Sequence, residues 1–176
     1  SALRSLDISG NNLTQGKLKA NGWEHETDMS GVVALSEAIK DSRMTSLDIS
    51  GNIPWGSRDG PAFAKHIAEA VKDHPVVKLD ISSNALVGDE TGYIKKAEVA
   101  GDSLDVGMMV QYNEMRCAVT KAVDSDGELK VRPIEGILAL CDALNGNEVM
   151  QELNLASTGL DPCSAKSLAE IIPTMT

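Results

Sequence analysis

Leu3-Arg-Ser-Leu-Asp-Ile-Ser-Gly-Asn-Asn-Leu13 places apolar residues at 3, 6, 8 and 13 and an asparagine at 11. Residues two apart in an extended chain share a face, so Leu6 and Ile8 point one way and Asp7 the other. The frame returns at Met44, Leu47, Ile49 and Asn52, at Val76, Leu79, Ile81, Asn84 and Leu86, and at Met150, Leu153, Leu155 and Leu160. The recurrence predicts one short strand and one turn, built again and again. Asn11, Asn52 and Asn84 fall where the chain leaves the strand, and a primary amide can both donate to and accept from backbone groups that the turn leaves unpaired. Thr158 stands there in the last copy, with a hydroxyl but no amide, and Pro54 replaces the final apolar residue of the second copy. Both of those turns are expected to be irregular.

Helical spacing follows the strands. Val32, Leu35, Ala38 and Ile39 fit one face of a helix, and the stretches 64–73, 137–145 and 165–172 repeat the pattern. Aligning Leu35, Ile67, Leu140 and Leu168 gives offsets of 32, 73 and 28 residues, against a repeat of roughly 20 to 29 for units of this kind. The last offset is a clean unit and the others carry excess. A strand reading L-x-x-L-D-I-S-x-N, followed by a long helix, resembles the leucine-rich repeats of the ribonuclease-inhibitor type, including those of NOD-like receptors. The match covers residues 1–86 and 134–172. The resemblance implies an α/β fold, a right-handed leucine-rich-repeat solenoid with parallel strands on the concave side and helices on the convex side, and a role in gripping partner proteins.

The first excess, between Leu13 and Ser30, is polar, carries Gly16 and Gly22, and reads as a loop. Trp23 within it and Trp55 in the Asn52–Pro61 turn are candidate partner-binding residues on one rim, since inserts in the same connection of successive coils stack. The larger excess divides the chain into repeats over 1–87, an inserted β meander or small Src-homology-type barrel over 88–133, and repeats again over 134–176. Met108–Tyr112, Met115–Val123 and Glu128–Arg132 read as alternating strands, with turns at Asn113-Glu114 and Asp124–Gly127. A second reading stays open, because Met108, Val110, Asn113 and Met115 also fit the repeat frame.

Composition narrows the function. Hydrophobic residues make up 42% of the 176, which opposes disorder, and no apolar run approaches the roughly 20 residues of a membrane span. A net charge of −10 without a Lys/Arg run excludes a nucleic-acid partner. Cys117, Cys141 and Cys163 are odd in number and widely spaced, which predicts reduced thiols in an intracellular protein, and no targeting segment is visible. His25, His66 and His74 lack metal-ligand spacing, and no hydrolase, zincin or phosphate-loop motif is present, so neither catalysis nor a cofactor is expected. Asp124–Glu128 fails as a calcium loop, since Ala122 and Pro133 would occupy its ligating ends.

A surface remains. With the strands in register, outward residues form three columns: Ser5, Ser46, Lys78 and Glu152; Asp7, Asp48, Asp80 and Asn154; Ser9, Ser50, Ser82 and Ala156. Of these, Asp7, Asp48, Asp80, Asn154, Ser9, Ser50, Ser82, Lys78 and Glu152 are the candidate concave binding residues, an acidic, hydroxyl-rich strip for a protein partner with a basic segment. The first strand has no polar cap before it and Leu3, Leu6, Ile171 and Ile172 are expected to be exposed, so the chain reads as part of a longer array or a larger complex. A protein-interaction scaffold is the function this reading predicts, ahead of a structural subunit of a large assembly or the regulatory repeat domain of a larger receptor or enzyme.

Overall fold

Leu6, Leu47, Leu79 and Leu153 stand side by side on the neighbouring strands of one parallel sheet. The computed structural model describes residues 3–20, 25–54 and 57–175. In chain order they form β1 (Ser5–Asp7), β2 (Gln15–Leu18), β3 (His25–Thr27), α1 (Ser30–Lys40), β4 (Ser46–Asp48), α2 (Gly60–Val71), β5 (Lys78–Asp80), β6 (Ile94–Lys95), β7 (Met109–Tyr112), β8 (Met115–Lys121), β9 (Glu128–Pro133), α3 (Glu135–Leu144), β10 (Glu152–Asn154) and α4 (Pro162–Ile171). Single 3-10 turns occupy Lys96–Glu98 and Ile172–Thr174.

The parallel sheet runs β1-β4-β5-β10. Its ladder continues past the strands: the N–H groups of Ile8, Ile49 and Ile81 donate to the carbonyls of Asp48, Asp80 and Asn154 at 2.9–3.1 Å. Each strand is short because the turn after it begins at once. The apolar residues of the inner face meet the helices, and Leu47, Ile49, Leu79, Ile81, Phe63, Ile67 and Ile137 are among the fully buried members of one continuous core. Consecutive helices pack as neighbours, α1 on α2, α2 on α3 and α3 on α4. On α1 the buried small residue is Ser36, its hydroxyl donating to Val32 O at 2.8 Å, while Ala38 is exposed.

Three local expectations are corrected. The excess after Leu13 is not all loop, since β2 and β3 pair as an antiparallel ribbon. Pro54 does not leave its coil without an apolar turn residue, because Ile53, one position earlier, is fully buried. Of the four residues expected to be exposed at the ends, Leu3 and Ile172 are, but Leu6 is half-buried and Ile171 is buried.

Residues 88–133 supply no strand to the parallel sheet, for β5 pairs directly with β10. Met109–Tyr112, the stretch that also fits the repeat frame, pairs antiparallel with β8 instead. The insert forms its own sheet, β6-β9-β8-β7. Asn113 and Glu114 turn the β7–β8 hairpin with φ of 48° and 64°, the left-handed pair that matches strand twist. β6 pairs with β9, and Ala100, six residues on from Ile94, exchanges both backbone bonds with Gln111 of β7 at 2.7 and 3.0 Å. The two sides of the sheet are thereby joined. Val110, Cys117, Val119, Leu129 and Val131 fill the inside as a cluster separate from the main core, while Ala118, on the opposite face of β8, joins the main core.

The insert is fastened to α3 by Glu135. Its Oε1 accepts from the Arg116 N–H at 2.7 Å and from Arg116 Nε at 3.2 Å, and Oε2 accepts from Nη2 at 3.3 Å. Burial pushes the Glu135 carboxyl up, but the Arg116 side chain and N–H, with Lys65 beyond, outweigh it and hold the group below its usual range. A depressed folded pKa means that this contribution is whole above the ordinary glutamate range and is lost as pH falls through the folded value. Glu135→Ala is expected to cost about 1–3 kcal/mol at neutral pH, and the difference from the parent should shrink on acidification. Urea unfolding at neutral and acid pH checks both; a constant difference would assign the loss to packing alone.

Candidate functional site

The three outward columns are in register. Ser5 pairs with Ser46, Ser46 with Lys78 and Lys78 with Glu152, while Asp7, Asp48, Asp80 and Asn154 align in the next row. The third row continues through the backbone: Gly10 N–H donates to Ser50 O, Gly51 N–H to Ser82 O and Ser83 N–H to Ala156 O. All of these side chains lie on the face turned away from the helices. Those of the two outer strands and Lys78 are exposed, Ser46, Asp48, Ser50 and Asp80 are half-buried, and Ser82 is buried.

The acidic row has a local cause. Oδ1 of Asp7, Asp48 and Asp80 accepts the N–H of the residue two ahead, Ser9, Ser50 and Ser82, at 2.9–3.0 Å. Asn154 does the same for Ala156 at 3.1 Å, so the turn requires a short side-chain acceptor and not a charge. The charge is additional. Adjacent strands lie about 4.8 Å apart, and like charges set directly opposite oppose pairing. Ser9 offsets this at Asp7, where its N–H and hydroxyl hold the carboxyl below its ordinary range. At Asp80, burial pushes up, but the Ser82 hydroxyl and N–H and the Asn154 amide, donating at 2.8 Å, leave the carboxyl depressed. Both stay ionised at neutral pH. In the row beside them Lys78 bonds Glu152, so that pair adds no net charge.

Behind this face runs a ladder of asparagines. Asn84, fully buried, accepts from the N–H groups of Asn52 and Ile53 at 2.8 Å. Its amide donates to Ile81 O and Ser82 O of its own coil and to Ile49 O of the coil before. Asn52 repeats the pattern one coil earlier, accepting from Asn11 N–H at 2.9 Å and donating to Ile49 O, Ser50 O and Ile8 O. Thr158 keeps only part of it, since its hydroxyl reaches Leu155 O at 2.7 Å. The irregularity expected there is real, and Leu160 after it is 38% exposed. Residues 2–21 match the Leucine Rich Repeat family model. The chain carries a leucine-rich repeat. No curated protein and no solved structure matches it. Such repeats are in general protein-interaction modules.

The long connections of these repeat units leave their strands at the same edge of the sheet. They touch in sequence: Thr27 of the β2–β3 ribbon donates to Asp59, and Arg58 Nε stands 3.9 Å from Asp89 at the start of the insert. Trp23 and Trp55, the two rim candidates, lie outside the described residues. Tyr93 was not among the candidates. It is 52% exposed, with Lys121 Nζ 4.2 Å and Lys130 Nζ 5.0 Å from its ring centre. Nothing in the spacing of Tyr93, Lys121 and Lys130 foretells that cluster, because the fold of the insert assembles it.

All three cysteines are buried free thiols. Burial, with Glu135 nearby, pushes the Cys117 thiol up to about 11, and burial beside Asp142 and Glu170 does the same to Cys141; Cys163 is also raised by burial. Burial thus disfavours the thiolate, the reactive form, at all three. Among the described residues no three His, Cys, Asp or Glu side chains are arranged to hold a metal ion. A cavity of about 250 Å³ lined by Lys40, Glu69, Ala70, Asp73 and His74 opens near the ends of α1 and α2, remote from the strand face. No helix among the described residues is long and apolar enough to cross a membrane.

Proposed function

We propose that the chain is a protein-binding scaffold, residues 1–87 and 134–176 forming one right-handed leucine-rich-repeat solenoid and residues 88–133 a module inserted in one strand-to-helix connection. Parallel strands joined through helices are right-handed in nearly all known cases, and stacked units curve with the strands inside. The strand face is then concave and receives a segment of a partner. It acts by binding, without catalysis of its own.

One observation carries the choice of face: Asn154 satisfies its turn without a charge, whereas Asp7, Asp48 and Asp80 meet the same need with one. A carboxylate strip raises local negative potential, speeds the encounter with a basic segment, and makes that binding weaken with salt. Titration with synthetic peptides of basic, neutral and acidic composition tests this. The basic peptide should bind best, and Asp7→Asn with Asp48→Asn should weaken it about three- to tenfold without lowering the melting temperature, because asparagine keeps the acceptor. Asp80 is left intact because Asn154 donates to its second oxygen. Equal binding of all three peptides, or an unchanged affinity in the double variant, would refute the acidic-strip reading.

A further inference from the structure

Asn145 closes α3 and is followed by Gly146, and both are exposed. Asparagine before glycine is the dipeptide most prone to ring closure, since glycine offers no side chain to hinder its own nitrogen. Gly146 N loses its proton to base and attacks Asn145 Cγ, and the amide leaves as ammonia. Water then opens the succinimide to aspartate or, through the other carbonyl, to isoaspartate. The sequence is redox-neutral and consumes only water.

The fold opposes this at one point. Asn145 has φ −60° and ψ 122°, an extended backbone in which the following nitrogen is turned away from Cβ and Cγ. To attack, that nitrogen must swing round until it eclipses Cβ. It is held where it is: Gly146 N–H donates to Thr174 Oγ1 at 3.0 Å. The same hydroxyl oxygen lies 3.0 Å from Asn145 Oδ1 and 2.7 Å from Ile171 O, sharing its single hydrogen between them. One side chain, on the 3-10 turn after α4, thus grips both the nucleophile and the amide it would attack.

We infer that Asn145-Gly146 is a spontaneous modification site latched by the Thr174 hydroxyl, opened when the Ile172–Thr174 turn lifts. The product has a consequence for the sheet. Isoaspartate adds a methylene to the main chain two residues before Asn147, whose Oδ1 accepts from Val149 N–H at 3.0 Å and Met150 N–H at 2.7 Å on the way into β10. A new carboxylate would also sit at the negative end of the α3 dipole.

The test is site-resolved mass spectrometry of the protein aged in mildly alkaline buffer, with Asn21-Gly22, the other such dipeptide in the sequence, as internal reference. Thr174→Val keeps the shape and removes the hydroxyl; it should speed conversion at Asn145 about fivefold, the factor of one lost hydrogen bond, and leave Asn21 unchanged. Thr174→Ser should match the parent. An unchanged rate at Asn145 in Thr174→Val overturns the latch. So does a joint rise at both sites to the rate of the urea-unfolded chain, which would mean that Thr174 guards the whole fold and not this dipeptide.

Discussion

Asn84→Ala is expected to lower the stability of the protein by at least about 3 kcal/mol. The side chain is fully buried and makes five hydrogen bonds, all to backbone: it accepts from Asn52 N–H and Ile53 N–H and donates to the carbonyls of Ile49, Ile81 and Ser82. Alanine strands both N–H groups and removes a donor from three carbonyls, at a depth water does not reach. Asn84→Asp keeps the acceptor, loses the donors and buries a charge among carbonyls, so it should be no better. Asn84→Thr, which copies the arrangement at Thr158, should recover part of the loss. Urea unfolding of the three variants checks the order, and a cost below about 1 kcal/mol for alanine would show that the turns hold without the ladder.

Gly136→Ala and Gly60→Ala are expected to be comparably damaging, at about 3 kcal/mol or more each, because overpacking here meets main chain that has nowhere to go. A methyl on Gly60 would stand 1.4 Å from Ala85 O, and one on Gly136 2.4 Å from Leu86 O and 2.8 Å from Pro61 Cα. These are the places where α2 and α3 begin and press against a neighbouring coil. Gly92→Ala is the control, for nothing lies within 4 Å of its added methyl. Thermal melts that leave Gly136→Ala within about 2 °C of the control would mean that the helices are free to spread.

The strand frame was legible because its cause is local. Leu6 and Ile8 alternate with Asp7, and the asparagine three positions after Ile8 has backbone groups waiting for it; both facts follow from a period of two and the chemistry of an amide. Less was readable where partners lie far apart in sequence. Ser36 carries no mark of burial until Val32 O is found beneath it. The β2–β3 ribbon is a polar stretch that pairs only with itself, so no hydrophobic pattern announces it. At the candidate site, the alignment of Asp7, Asp48 and Asp80 was visible in the sequence, but its reason was not: the bond from each carboxylate to the N–H two residues on is a property of the turn. The same holds for Glu135, whose hold on Arg116 spans 19 residues.

The two edges of the parallel sheet obey different rules. Where the chain enters each strand the same forked bond recurs: Arg4 O accepts from Thr45 and Ser46, Thr45 O from Val77 and Lys78, and Val77 O from Gln151 and Glu152. One residue added there would put Ser46 or Asp48 in the place of Leu47 and turn the coil inside out. Where the chain leaves the strand, a ribbon, an irregular turn and a whole β module have each been accommodated while the rows stayed in register. The connection into each strand stays between five and seven residues, while the one out of it runs from a short turn to a whole β sheet. The exit edge is a socket: foreign sequence can be grafted beyond the buried turn residues, after Leu13, Ile53 or Val87, and displayed along one rim, with the strand face left as it was.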